Sequence, residues 1–176
     1  MKIFRILFLI GLDRPGIVDD VSTFLLEHGA NIEDSRMATL GGRFSAVILF
    51  SSRQAGIADI ESGLGRLTAM GLEVSLHGAD EPAAVPRPAE LPLRIQAASI
   101  DHPGIVQQIV HLLRRHGVNI HALNTSVLPA PLSGAPLFNL VLQAGVPAET
   151  SIGVVKEALE QLATLQNLDL NFPPEF

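Results

Sequence analysis

Gly11-Leu12-Asp13-Arg14-Pro15-Gly16-Ile17-Val18 and Ser99-Ile100-Asp101-His102-Pro103-Gly104-Ile105-Val106 share one layout: an apolar run ends, Asp-x-Pro-Gly follows, and a helical pattern begins. That is a strand, a tight turn and a helix start, written twice. Asp13–Ile32 aligns with Asp101–Ile120 without a gap. Asp13, Pro15, Gly16, Ile17, Val18, Leu25, His28, Gly29, Asn31 and Ile32 all meet identical residues. Ordinary residue frequencies would give about one identity by chance over such a stretch, so the chain contains an internal repeat.

The repeat continues at slightly larger offsets, which places an insertion in the second copy. Phe44, Ala46 and Ile48 match Phe138, Leu140 and Leu142; Ile57, Ile60, Leu64 and Leu67 match Ile152, Val155, Leu159 and Leu162; Leu72, Val74 and Leu76 match Leu168, Leu170 and Phe172. The expected organisation is a first unit over residues 1–79, a Pro-rich linker over 80–90 and a second unit over 91–176. In each unit the apolar spacing predicts a strand (3–11 and 91–99) followed by a helix. Ile17, Val18, Val21, Phe24 and Leu25 form one helical face, as do Ile105, Val106, Ile109, Leu112 and Leu113. Both helices are expected to stop at His-Gly, at residues 28–29 and 116–117. A hairpin follows, tight at Gly41-Gly42 and longer over 128–136, then a helix and a last strand. The order βαββαβ predicts an α+β fold: two tandem ferredoxin-like units, each a four-stranded antiparallel sheet with both helices on one face. Phe4, Ile6, Phe8 and Ile10 on one face of the first strand, with Ile3, Leu7 and Leu9 on the other, make both faces apolar. A sheet covered on one side only should not be apolar on both, so the helix-free face is expected to be covered by the sister unit or another subunit.

Composition narrows the function. Net charge is −6, and the twelve Lys and Arg residues form no basic run; direct nucleic-acid binding needs a concentrated positive footprint. The chain has no cysteine, which removes thiolate nucleophiles, disulfides and Cys-based zinc sites. Arg5 and Asp13-Arg14-Pro15 argue against reading the N-terminal apolar run as a signal peptide, and no apolar run reaches the roughly 18 residues of a membrane span. A cytoplasmic protein is expected. His102, His111, His116 and His121 lack the spacing of a helical zinc site, and no nucleophile–base motif or Walker-type loop occurs. Neither a metal, a cofactor nor catalysis is expected.

The turns admit two readings. Asp13 and Asp101 serve as helix N-caps, with Pro15 and Pro103 opening the first turn. Alternatively, Gly16 and Gly104 let a ligand carboxylate approach exposed first-turn N–H groups, where the helix dipole favours an anion. A ligand ammonium would then meet Asp13 or the Asn31 side-chain oxygen.

Asp13-Arg14-Pro15-Gly16-Ile17-Val18 with Gly29-x-Asn31-Ile32 resembles the ACT domain, a βαββαβ regulatory module that binds amino acids. Together with Gly41-Gly42-Arg43-Phe44, Pro136-Leu137-Phe138 and Val146-Pro147-Ala148, it is similar to the tandem-ACT glycine cleavage repressor group. The resemblance covers nearly the whole sequence. Formyltetrahydrofolate deformylases carry a similar ACT unit, but this sequence holds no room for their catalytic domain. The resemblance implies a non-catalytic regulator that binds a small amino acid such as glycine. It would act through a partner transcription factor rather than on DNA, and a homo-oligomer is expected. It places ligand contacts at Asp13, Arg14, Pro15, Gly16, Ile17 and Asn31 in the first unit, and at Asp101, His102, Gly104, Ile105 and Asn119 in the second. His102 in place of Arg14 and Ala122 in place of Asp34 mean that the units need not share a ligand. The competing reading is an interaction module with no small-molecule ligand.

Overall fold

Alternation along each strand decides which side chains meet the helices. In the computed structural model, which describes residues 2–82, 89–130 and 134–174, Leu7 and Leu9 of β1 (Ile3–Leu12) are buried on one face. Phe44, Ala46, Ile48 and Phe50 of β3 (Arg43–Ser52) join them in one core. Ile17, Val21, Phe24 and Leu25 of α1 (Ile17–Glu27) close it from above, with Ile57, Ile60 and Leu67 of α2 (Gln54–Ala69). β2 (Asn31–Leu40) and β4 (Leu72–Ala79) complete an antiparallel sheet of order β2-β3-β1-β4.

The second unit repeats the plan. Its elements are β5 (Glu90–Ile100), α3 (Ile105–Arg115), β6 (Asn119–Pro129), β7 (Pro136–Pro147), α4 (Ile152–Gln166) and a short β8 (Asp169–Asn171), in sheet order β6-β7-β5-β8. The α+β reading, two ferredoxin-like βαββαβ units, is what the structure has. The chain separates into two compact units, Met1–Pro86 and Arg87–Phe176. Of the expected linker, residues 83–88 lie outside the described residues, as do 131–133 of the longer hairpin loop.

Both first helices stop where the His-Gly pairs stand. Ala30 N–H donates to the Leu25 carbonyl at 3.0 Å, and Val118 N–H to that of Leu113 at 3.0 Å. These bonds run five residues back and occupy carbonyls that the helix end would otherwise leave bare.

The helix-free faces differ between the units. In the first, Phe8 and Ile10 are 40% and 42% exposed beside Val47. In the second, the same face carries Gln96 and Ala98 of β5 beside Asn139 and Val141 of β7, with Asp169 and Asn171 of β8 at its edge. The expectation of an apolar second face therefore describes the first unit alone.

A bulge interrupts each edge strand at equivalent positions, between Ile32 and Asp34 and between Ile120 and Ala122. Glu33, the extra residue in β2, accepts from the Ser51 hydroxyl and lies 3.4 Å from Lys2 Nζ. His121, its counterpart, sits 2.8 Å from Glu90 across Gly145. Hydrogen bonds from Ser51 and Asn31 lower the Glu33 pKa, and hydrogen bonds donated to the Asp34 carboxylate by Arg36 and by the Ser35 N–H lower that of Asp34.

Two expectations follow. Folded pKa values below the unfolded ones mean that the unfolded chain binds more protons in acid. The stabilisation from Glu33 and Asp34 is complete above their ordinary values of 4.5 and 3.8 and is lost as pH falls through and below them. Acid unfolding followed by amide exchange should show a shallower acid limb in the first unit of a Glu33→Gln/Asp34→Asn variant. Separately, alanine is the better helix former at both Gly56 and Gly65 of α2, yet the two should respond oppositely. A Cβ on Gly56 would clash with the Ser52 side chain and with the His28 carbonyl oxygen at the end of α1, whereas Gly65 has open space. Urea unfolding should show Gly65→Ala stabilised by about 0.5–1 kcal/mol and Gly56→Ala destabilised by about 1–3 kcal/mol.

Candidate functional site

The two Asp-x-Pro-Gly turns enter their helices by the same backbone manoeuvre. Gly16 (φ 91°, ψ −5°) and Gly104 (φ 100°, ψ −10°) are themselves the N-cap residues, in left-handed conformation. That geometry costs an L-residue about 1–2 kcal/mol. The capping reading of the sequence is thereby corrected: no side chain caps either helix, and Asp13 and Asp101 lie three residues upstream of the cap. Their backbone N–H groups instead donate to the hairpins, Asp13 to the Gly42 carbonyl at 3.0 Å and Asp101 to that of Pro136 at 2.9 Å. Pro15 and Pro103 stand in the turn before the cap and so do not open the first helical turn.

The consequence is chemical. First-turn N–H groups have no intrahelical acceptor, and here no side chain among the described residues caps them. Gln108 and Asp20 N–H reach back to the Gly104 and Gly16 carbonyls at 3.0 and 2.9 Å, closing the first helical bonds. The N–H groups before them point out of an exposed turn. Such an end is suited to a small anion such as a carboxylate.

Electrostatics then separate the two copies. Asp19 and Asp20 stand in the first turn of α1, where carboxylates suit the dipole but repel an incoming anion. Arg14 offsets part of this through a 2.7 Å ion pair with Asp20, and its Nη1 also donates to the Pro15 carbonyl. In α3 the equivalent positions are Gln107 and Gln108, and the first turn has no acid. The Gln108 amide nitrogen lies 3.5 Å from the point where a Gly104 Cβ would sit, so it folds back over the turn. His102 repeats the local contact of Arg14: its Nδ1 lies 3.2 Å from the Pro103 carbonyl oxygen. Sequence comparison singled out the Arg14–His102 exchange. The Asp19–Asp20 against Gln107–Gln108 contrast is the larger electrostatic difference, and it was visible only as unmatched positions in the repeat.

The structure brings Asp13, Arg14, Pro15, Gly16 and Ile17 together with the Gly41-Gly42 hairpin, and Asp101, His102, Gly104 and Ile105 together with Pro136. It does not bring Asn31 or Asn119 to the turn of its own unit. Asn31 pairs with Ser51, which pairs with Phe4, at the opposite end of β1 from Leu12. Eight strand residues at about 3.3 Å each set them about 26 Å apart. Asn119 is likewise in register with Gly145 and Pro92. Neither asparagine can serve a ligand held at the turn of its own unit. Ile17 and Ile105 are buried core residues and contribute backbone alone. Among the described residues no group of three or more His, Asp or Glu side chains is placed to hold a metal ion, and no helix is long and apolar enough to cross a membrane.

Residues 6–77 match the model of the ACT domain. The glycine cleavage system transcriptional repressor of Escherichia coli K12 is 29% identical over 165 residues, spanning 93% of this chain and 86% of that protein. A solved structure of an unknown protein from Galdieria sulphuraria superposes over the full length of both chains with a TM-score of 0.81 and 29% identity. A further solved structure, of a candidate glycine cleavage system transcriptional repressor, shares the fold over 99% of both chains, with a TM-score of 0.70 at 22% identity. Residues 6–77 thus match the ACT-domain model, the second half repeats the same βαββαβ plan, and over most of its length the chain is similar to the glycine cleavage system transcriptional repressor of Escherichia coli K12.

Proposed function

We propose that the chain is a non-catalytic regulator that binds a small amino acid at its Asp-x-Pro-Gly turns and alters its association with a transcription-factor partner in the cytoplasm. The observation that carries this reading is the pair of uncapped helix N-termini behind left-handed glycines. They are N–H groups in exposed turns with a favourable dipole and no side-chain cap among the described residues. The repressor name of the Escherichia coli relative supports a regulatory role and makes glycine the first ligand to test. Regulation through a protein rather than by contact with DNA agrees with the net charge of −6.

The charges favour the second turn for the carboxylate, because α3 lacks the acids that α1 presents. The same acids favour the competing reading for the first unit, a turn that serves protein contact alone. A ligand of five heavy atoms is limited to about 7.5 kcal/mol at roughly 1.5 kcal/mol per atom, a dissociation constant of a few μM at best. That bound matches a sensor of metabolite levels.

Calorimetry of the full chain against the twenty amino acids tests the proposal. Glycine or another small amino acid should bind in the μM to mM range, and silence across the panel at mM concentrations overturns the ligand reading. Placement is tested by charge. Gln108→Glu should weaken binding by up to about fivefold, the equivalent of about 1 kcal/mol at a helix N-terminus. Asp19→Asn/Asp20→Asn should strengthen or create binding at the first turn by a similar factor. Both substitutions lie on the helix surface, so circular dichroism should be unchanged.

A further inference from the structure

The repeat supplies its own control for the seam between the two helices of each unit. In the first unit that seam is sealed. Phe24 and Leu67 are fully buried, and the Phe24 ring packs so closely on α2 that a Cβ on Gly63 would lie 3.1 Å from it. His28 stands beside the ring, with centroids 4.6 Å apart, and an ion pair from Glu27 to Arg66 bridges the two helices. The first unit thus fills its seam with a phenyl group and holds a carboxylate to a guanidinium across it.

In the second unit Phe24, Gly63 and Leu67 become Leu112, Ala158 and Leu162, and His116 keeps the place of His28. Both partners of the bridge are replaced, Glu27 by Arg115 and Arg66 by Gln161. Here α3 and α4 enclose an open groove of about 440 Å³, within the roughly 300–1,000 Å³ of small-molecule sites. Leu112 and Leu162 are only partly buried and Leu165 is 77% exposed, so the groove has an apolar wall. Arg115, His111 and His116 line it, and among the described residues no Asp or Glu does. Among the same residues none of these three side chains has a hydrogen bond or an ion pair.

We propose that this groove binds a small organic carboxylate with an apolar body and no ammonium group, the body on the leucines and the carboxylate at Arg115. The sister unit indicates the occupant. What α1 and α2 hold between them as side chains, an aromatic ring and a carboxylate on a guanidinium, α3 and α4 take from solution. Guanidinium and carboxylate form the stronger, charge-assisted kind of hydrogen bond, and the apolar body removes leucine surface from water. Amino acids are disfavoured here, because their ammonium would meet cationic Arg115 and no carboxylate. The inference stands apart from ligand binding at the turns, since Asp101–Gly104 line no part of the groove.

Calorimetry of the full chain with phenylacetate tests this. Binding is expected between about 10 μM and 1 mM, the range open to so small a ligand. Phenylalanine, which adds an ammonium to the same body, should bind about tenfold more weakly. Arg115→Gln should weaken phenylacetate binding about fivefold or more. Arg115→Glu/Gln161→Arg, which rebuilds the bridge of the first unit, should abolish it. Both positions are exposed, so circular dichroism should be unchanged. No binding at mM concentrations, the outcome if protein covers the groove instead, overturns the proposal. So does binding that survives both variants, which places phenylacetate elsewhere, or phenylalanine binding as tightly as phenylacetate.

Discussion

One backbone constraint sets the rest of each unit: the chain leaves the first strand and turns into the helix through a residue with positive φ. Gly16 and Gly104 hold that position. The turn is tied down from outside by a hairpin carbonyl, that of Gly42 or Pro136. With the entry angle fixed, Ile17, Val21, Phe24 and Leu25 fall over Leu7, Leu9 and Ile48 of the sheet, and the equivalent residues of α3 do the same. Because the cap residue is glycine, no side chain oxygen takes the first N–H groups. The feature that makes the fold also leaves the opening that the proposed ligand would fill, so packing and recognition share one cause.

The two copies keep this backbone and diverge in charge. Lys2 and Glu33 at one end of the first sheet become Glu90 and His121 in the second, with the polarity of the pair reversed. Ser51, which holds Glu33 by its hydroxyl, becomes Gly145, and the vacated space is taken by the Glu90 carboxylate. Asp19 and Asp20 become Gln107 and Gln108, and Glu27 becomes Arg115. None of these positions is in either core, so the apolar pattern that maintains the fold places no restraint on their sign. Duplication followed by such exchange gives one chain two differently charged versions of the same surface.

Much of this was legible in the amino-acid order. The repeat, the βαββαβ plan and the core faces follow from apolar spacing, because burial against a sheet or helix has a strict period and only apolar residues satisfy it. The His-Gly helix ends and the Gly41-Gly42 turn were legible for the same kind of reason: their backbone needs particular residues. Three features were decided only by tertiary structure. Asp13 looked like a cap because its chemistry suits one, but the left-handed Gly16 moves the cap three residues on. Asn31 looked like a partner of the turn because it follows the first helix closely in sequence, but an antiparallel register carries it to the far end of β1. The helix-free face reads as apolar from β1 alone, but the polar neighbours of β5 appear only when β7 and β8 are paired with it. Sequence order specifies what a residue can bury or bond to. Which groups meet depends on strand register and helix entry angle, and those are settled by the packing of the whole unit.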